Sequence, residues 1–200
     1  MIKDDDQPVD AELQRASDFR SISSGLSGAL DSFALSAMRR KQLSVAAILF
    51  LVLNLVDQLT KQFARTNLAD FQEHSYLGGL IRVRHSENPG AFLSLGAQLG
   101  EHMRFGLFTV LVVAFLIWAT WMMIRKAGLA NMSFIVGWAM LIAGGFGNLI
   151  DRAMKSTVTD FLIFGAGSLQ TGVLNIADMA ITFGILIVIF MGRETAHTQI

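Results

Sequence analysis

The sequence predicts an all-α membrane protein: four transmembrane helices with a small non-cytoplasmic β element between helices 1 and 2. Three observations carry that reading. The 200-residue chain is 52% hydrophobic and only 16% charged, whereas soluble domains carry about 25% charged residues, and its mean hydropathy is +0.49. Four apolar runs, Leu43–Leu59, Phe105–Ile124, Met132–Ile150 and Leu174–Met191, match the length of about 20 residues that a helix needs to cross a bilayer. Only two prolines are present, which suits long uninterrupted helices.

Residues 1–38 form a polar extension in which seven acidic residues face three basic ones. Phe19, Ile22, Leu26, Leu30 and Phe33 recur at helical spacing, but Gly25, Gly28 and several serines weaken a helix there. The expectation is a mostly disordered cytoplasmic tail, with Met38 as an alternative start. The membrane domain follows over residues 39–193, and residues 194–200 form a short cytoplasmic tail. The first apolar run is not a cleaved signal peptide. It lies far from the N-terminus and leads into Asp57 and Lys61 rather than a small-residue cleavage site.

Between the first two spans, Leu80-Ile81-Arg82-Val83-Arg84 alternates like a strand, Asn88-Pro89-Gly90 reads as a turn, and Ala91–Leu95 is a returning strand. The connection after span three, Asp151–Val173, holds the strand-like Phe161–Phe164 and Gly165-Ala166-Gly167, a further strand or a flap. Within span three, Ala139, Ala143 and Gly147 repeat every four residues, a stripe that lets helices approach closely.

Basic residues set the orientation. Arg39-Arg40-Lys41 precede span one, Arg125-Lys126 occupy the turn between spans two and three, and Arg193 follows span four. If the spans alternate, all three lie on one side, which the positive-inside rule makes cytoplasmic. Both termini are then cytoplasmic. Zero net charge leaves no electrostatic footprint for nucleic acid. The absence of cysteine excludes disulfides, thiolate metal sites and a cysteine nucleophile. The four histidines show no metal-ligand spacing, and no nucleophile-elbow motif is present.

The remaining polar residues gather at the outer ends of the spans. Asp57 and Lys61 are four apart, acid first, the favourable order for an ion pair on one helix face. Asn148, Asp151 and Arg152 share a face at the end of span three, and Asn175 and Asp178 share one at the start of span four. Asp160 lies in the apolar run Val158–Phe164. Each cluster has two readings: an anchoring pair, cap or interhelical hydrogen bond, or part of a reactive centre. Ionisable groups near membrane depth are functional-site candidates by default, and two carboxylates able to share a water suit acid/base hydrolysis. The competing class is a small transporter or assembly subunit with proton-relaying carboxylates. Against it, the charges collect at one end rather than at the midplane, where transport sites lie.

Taken in order, Asp57-Gln58-Leu59-Thr60-Lys61, Asn88-Pro89-Gly90-Ala91-Phe92, Gly144 to Arg152, Val158-Thr159-Asp160-Phe161 and Asn175-Ile176-Ala177-Asp178 resemble the lipoprotein signal peptidases (signal peptidase II). These are bacterial integral-membrane aspartic proteases. The resemblance covers residues 40–192. It implies that Asp160 and Asp178 are catalytic. It also implies that Asp57, Lys61, Asn88, Asn148, Asp151, Arg152 and Asn175 support the site or bind substrate. The implied reaction removes the signal peptide of prolipoproteins ahead of a diacylglyceryl-cysteine, with no metal or cofactor, on the outer face of the bacterial cytoplasmic (inner) membrane. The implied partners are lipid-modified prolipoproteins and membrane lipids. One departure concerns the second motif, usually close to Asn-x-Gly-Ala-Ala-Phe. Here one small residue is missing before Phe92, and Pro89 stiffens the turn.

Overall fold

The first three apolar runs, and the fourth from Ile176 onward, lie on helices of the computed structural model, which describes residues 7–68, 72–89, 101–167 and 169–197. The helices are α1 (Gln7–Asn67), α2 (Glu101–Lys126), α3 (Met132–Lys155) and α4 (Ile176–His197). Among the described residues, three segments are long and apolar enough to cross a membrane: Ile22–Asn67, Thr109–Lys126 and Met132–Lys155. The apolar part of α4, Ile176–Met191, is shorter.

The disordered tail expected over residues 1–38 is corrected from residue 7 onward, because α1 runs unbroken from Gln7 through the first apolar run. Helix propagation is far cheaper than nucleation, so an established span extends into its flank. The serines do not break it, since Ser23, Ser27, Ser32 and Ser36 each donate to the carbonyl three residues earlier at 2.8–3.0 Å. Phe19, Ile22, Leu26, Leu30 and Phe33 all remain exposed.

Local chemistry sets the ends of α3. Asn131 caps its N-terminus by accepting from the Phe134 N–H at 2.8 Å. Ser156, in the left-handed region at φ 63°, ends it with an N–H bonded to the Arg152 carbonyl. The tight α2–α3 turn passes through Gly128 at φ 92°, and a buried α1 side chain locks it. Gln42 accepts from the Gly128 N–H and donates to the Ala130 carbonyl, both at 2.7 Å.

α3 is the central helix. Towards α1 and the α2–α3 turn, Ala139 and Ile135 pack with Ala46, Ala127 and Ala130. Towards α2, Trp138, Leu141 and Ile142 pack with Leu116 and Ala119. The predicted Ala139, Ala143, Gly147 stripe is buried, with Ala139 packed against Ala46 of α1 and Gly147 beside Ala177 of α4. The tightest approaches of the α3–α4 seam use Gly137, Gly144 and Gly184. A Cβ at Gly144 would lie 2.3 Å from the Ala177 carbonyl, and one at Gly184 would lie 2.7 Å from the Gly137 carbonyl.

The β element is not confined to the connection between α1 and α2: the strand expected at Phe161–Phe164 forms within the α3–α4 connection and joins it. Strands β1 (His74–Tyr76), β2 (Ile81–Asn88), β3 (Val158–Ala166) and β4 (Leu169–Gln170) form an antiparallel sheet in the order β1-β2-β3-β4. β2 therefore pairs across the chain with β3 of the α3–α4 connection. Between Val83 and Ser86 the register shifts, a bulge that places one extra β2 residue ahead of Ser86, Glu87 and Asn88. Beyond it Ser86 faces Asp160 and Asn88 faces Val158. Leu174 then bonds back to Leu162 through both backbone groups, which returns the chain beside β3 just before α4. The predicted strand Ala91–Leu95 and Gly90 of the predicted turn lie outside the described residues.

These contacts separate two glycine types by experiment. Gly144→Ala should lower stability by about 1–3 kcal/mol, the usual cost of overpacking. Gly28→Ala, where a Cβ meets nothing within 4 Å, should leave it unchanged or raise it by up to about 1 kcal/mol. Thermal unfolding in detergent micelles, followed by tryptophan fluorescence, reads both signs.

Candidate active site

At one end of the helix bundle, beneath the sheet, α1, α3, α4, β2 and β3 bring their polar residues together. Lys61 sits at the centre, with no exposed surface. Its ammonium meets Asp57 Oδ2 at 2.9 Å, Asn148 Oδ1 at 2.9 Å and Asp151 Oδ2 at 3.3 Å. An ammonium has three protons to donate, and here three acceptors from two helices surround it.

Each acceptor links to a further element. The other oxygen of Asp57 accepts the Ala177 N–H of α4 at 2.9 Å. A carboxylate from α1 thus satisfies a free donor at the α4 N-terminus, where the helix dipole favours negative charge. Gly147 makes the approach possible: a Cβ there would lie 2.7 Å from Asp57 Oδ2. Asp151 accepts the Thr159 N–H at 3.1 Å, tying α3 to β3, and its other oxygen lies 3.6 Å from Arg65 Nη1. Asn148 donates to Asp178 Oδ1 at 2.8 Å.

Asn175 and Asp178 form a reciprocal cap on α4. Asn175 Oδ1 accepts the Asp178 N–H at 2.8 Å, and Asp178 Oδ2 accepts the Asn175 N–H at 3.2 Å, the capping-box pattern with Asn and Asp in its two positions. The Asn175 amide nitrogen points the other way. It donates to Asp160 Oδ1 at 2.7 Å and Asn148 Oδ1 at 3.1 Å, with the Thr159 carbonyl at 3.4 Å. One fully buried asparagine therefore holds both Asp160 and Asp178. From β2, Asn88 donates to Asp160 Oδ2 at 3.1 Å.

The two aspartates have unlike surroundings. Asp160 is buried at 3% exposure, and its hydrogen-bond partners are the neutral amides of Asn88 and Asn175. Burial foremost, then the charge of Asp178, push its carboxyl up to about 7, against the bonds from Asn88 and Asn175 and the charge of Lys61. Asp178 is partly exposed in the first turn of α4. The Arg152 guanidinium stands close enough to interact electrostatically with Asp178, Asp160 and Asp151. On the rim, burial acts upward on Glu87. Bonds from Thr157, His85 and Thr159 and the charge of Lys155 outweigh it and hold the carboxyl below the usual range. Among the described residues, no three His, Cys, Asp or Glu side chains converge as metal ligands.

Eight of the nine residues singled out from sequence thus join one hydrogen-bonded network, and the ninth, Arg152, borders it. Thr159, Gln58, Arg65 and Glu87 extend the network. Thr159 supplies backbone groups to Asp151 and Asn175, and its hydroxyl bonds to Glu87 and accepts from Arg65. Gln58 bridges Asp57 to the Gly147 carbonyl. Arg65 continues the Asp57–Lys61 face by four residues, a spacing legible in the sequence. Glu87 has no such signal, because its partners Thr157 and Thr159 come from another connection.

The family described as Signal peptidase (SPase) II matches residues 49–192. The chain belongs to the signal peptidase II family. It is therefore a member of a protease family, with the apolar helices of a membrane protein. Among curated relatives, the lipoprotein signal peptidase of Desulforapulum autotrophicum is 35% identical over 138 residues, covering 68% of this chain and 83% of that one. That of Shewanella oneidensis is 34% identical over 136 residues, covering 68% and 78%. The Leifsonia xyli subsp. xyli relative is 32% identical over 147 residues, which are 70% of this chain and 63% of the relative, just under two thirds of its length. Two solved structures described as bacterial membrane enzymes obtained by the in meso method share the fold. One has a TM-score of 0.68 at 21% identity over 78% of this chain and 92% of that one, the other 0.63 at 22% over 74% and 91%.

The network makes Lys61 the most exacting position for stability. Lys61→Met leaves Asp57 buried without its cation and Asp151 with Arg65 alone, and removing one partner of a buried ion pair costs about 3–5 kcal/mol. Purified Lys61→Met should unfold at a much lower temperature than the parent in the same detergent. A midpoint within a degree or two of the parent would show that the ammonium is not needed to hold α1 on α3.

Proposed function

We propose that the chain is the peptidase that removes signal peptides from prolipoproteins, using Asp160 and Asp178 as a catalytic pair. The observation that carries the pairing is Asn175, whose amide bonds Asp160 Oδ1 while its backbone N–H and Oδ1 exchange bonds with Asp178. Family membership and the names of the relatives support the substrate class.

The unlike surroundings support a division of roles. Asp160, with burial and a neighbouring carboxylate raising its affinity for a proton, is the acid. Asp178, in the α4 first turn with donors from Asn148 and the Asn175 backbone, carries the charge and is the base. Water held between them gives a proton to Asp178 as its oxygen bonds the scissile carbonyl carbon. Asp160 donates its proton to the carbonyl oxygen, giving a gem-diol. When the C–N bond breaks, the leaving amine takes the proton from Asp178 and the new carboxyl returns one to Asp160. Arg152, near both carboxylates, balances the charge of the pair.

The topology proposed with this chemistry has four spans, α4 being the fourth, with both termini cytoplasmic and the site at the outer face of the bacterial inner membrane. The clustering of Arg39, Arg40, Lys41, Arg125 and Lys126 at the opposite end of the helices supports it. Lipid on the substrate cysteine then fixes the scissile bond at the depth of the pair. Asn88 belongs to both β2 and the site, so the Pro89 turn bears directly on how a substrate backbone is received.

Asp160→Asn and Asp178→Asn should each cut cleavage of a diacylglyceryl-modified precursor by at least about a hundredfold, since a positioned acid or base contributes about 10²–10⁴-fold on its own. Insertion and unfolding temperature should stay close to the parent. Substantial turnover by either variant sinks the pair.

The pH dependence has a definite sign. The acid must hold its proton, so turnover should fall as pH rises through about 7, where Asp160 loses it. Stability follows the same direction. Between the ordinary carboxylate range and about 7 the folded state keeps a proton that the unfolded state has lost, so stability decreases with rising pH there. Asp160→Asn should remove that slope. A profile of kcat that is flat from pH 6 to 9 would contradict the assignment of Asp160 as the acid.

A further inference from the structure

The opposite end of the bundle has its own polar feature. Arg39 and Asp57 both lie on α1, 18 residues apart, which is about 27 Å of helix. That is close to the hydrocarbon thickness of a bilayer, about 30 Å, so a bundle with Asp57 at one interface has Arg39 at the other. There α1 and the α2–α3 turn enclose a pocket of about 340 Å³ lined by Ser36, Arg39, Arg125, Gly128 and Leu129, among others.

The pocket is firmly built. Buried Gln42 bonds both the Gly128 N–H and the Ala130 carbonyl at 2.7 Å, and Gly128 packs so closely on α1 that a Cβ would lie 3.2 Å from Arg39 Cβ. Arg125 is stacked on Trp121, 4.6 Å from the ring centroid, which orients its guanidinium. Among the described residues no carboxylate pairs with Arg39 or Arg125. Ser36 already gives its proton to the Phe33 carbonyl, so the two guanidinium groups are the pocket's free donors. Arg40, Lys41 and Lys126 flank it and add positive charge.

Directly beside it, one helical turn further into the bundle, an apolar cleft of about 760 Å³ opens between α1, α2 and α3. Leu43, four residues after Arg39, and Trp121, four residues before Arg125, line its near end, and Phe50, Leu116, Ile142 and Phe146 line the remainder. A paired-arginine head site continuous with a long apolar cleft, at bilayer depth and parallel to the spans, has the shape and polarity of a single phospholipid.

We propose that this end of the protein binds one anionic phospholipid of the inner leaflet. Its phosphate sits between Arg39 and Arg125, where guanidinium forks suit phosphate oxygens. One acyl chain fills the cleft, bridging α2 to α1 and α3. The Arg39–Arg125 head site lies towards the other end of α1 from Asp57, and the proposal does not depend on the chemistry assigned to the carboxylate pair.

Purified full-length protein in a neutral detergent tests this by thermal unfolding with added phosphatidylglycerol, phosphatidylcholine or inorganic phosphate. Phosphatidylglycerol at about ten times its dissociation constant should raise the midpoint by about 3–6 °C. The shift should vanish in an Arg39→Ala/Arg125→Ala double variant. A second measurement needs no variant: phosphatidylglycerol carrying a photoreactive acyl chain should label wild-type residues around Phe50 and Ile142. An equal shift with phosphatidylcholine would overturn the proposal, as would the full shift with inorganic phosphate alone, which would make the ligand a free anion. Labelling spread evenly over the lipid-facing helices would overturn it as well.

Discussion

The buried ammonium of Lys61 is the point from which the site is built. Burying a charge is expensive unless its donors are met, and this one is met only where Asp57, Asn148 and Asp151 converge. That requirement fixes the axial register of α1 against α3. An apolar side chain would fill the same space with less desolvation, but it would not specify which turn of α1 faces which turn of α3. Every acceptor of Lys61 then uses its remaining valence on another element: Asp57 on the α4 backbone, Asp151 on the β3 backbone, and Asn148 on Asp178. Registration set by one cation is thereby passed to the two segments that carry Asp160 and Asp178.

Such transmission needs short distances, and small residues provide them. Asp57 reaches the Ala177 N–H only because Gly147 offers no Cβ at that level, and α4 comes close enough to α3 only because Gly144 meets the Ala177 carbonyl without a side chain between them. The asparagines do the complementary task. Asn175 presents an acceptor to the α4 backbone and a donor to Asp160, so a single rigid amide fixes the offset between a helix terminus and a strand. Its cap on α4 and its hold on Asp160 cannot be changed independently.

Much of this was legible along the chain and some of it was not. Residues three or four apart on one helix face, Asp57 with Lys61, Asn148 with Asp151, and Asn175 with Asp178, reveal themselves because helical geometry makes them neighbours whatever the tertiary fold. Their convergence at one end followed from counting spans. The pairing of β2 with β3 could not be read, since the strands lie on different connections and each alone looks like half of a local hairpin. That also hid Glu87 and Thr159, whose roles exist only across that pairing. The small-residue stripe Ala139, Ala143, Gly147 is a buried packing face as read. Which helix each position meets could not be read, because that depends on residues of the facing helices such as Ala46 and Ala177. The helix over residues 7–38 was discounted on local propensity, which the adjoining span overrides.

The division of labour proposed for Asp160 and Asp178 follows from where the chain places its dipoles. Two carboxylates that sense one another cannot both stay ionised at low cost, so the proton rests on the one whose surroundings offer less to an anion. Asp160 is buried under the sheet with two neutral amides for hydrogen-bond partners. Asp178 lies at the positive end of α4, accepts a backbone N–H and a side-chain amide, and is open enough to meet water. The helix terminus that Asp57 caps from outside therefore also carries Asp178, and the sheet assembled from two connections is what removes Asp160 from solvent. Exchanging the two environments, more than altering either side chain, would reverse which of them can act as the acid.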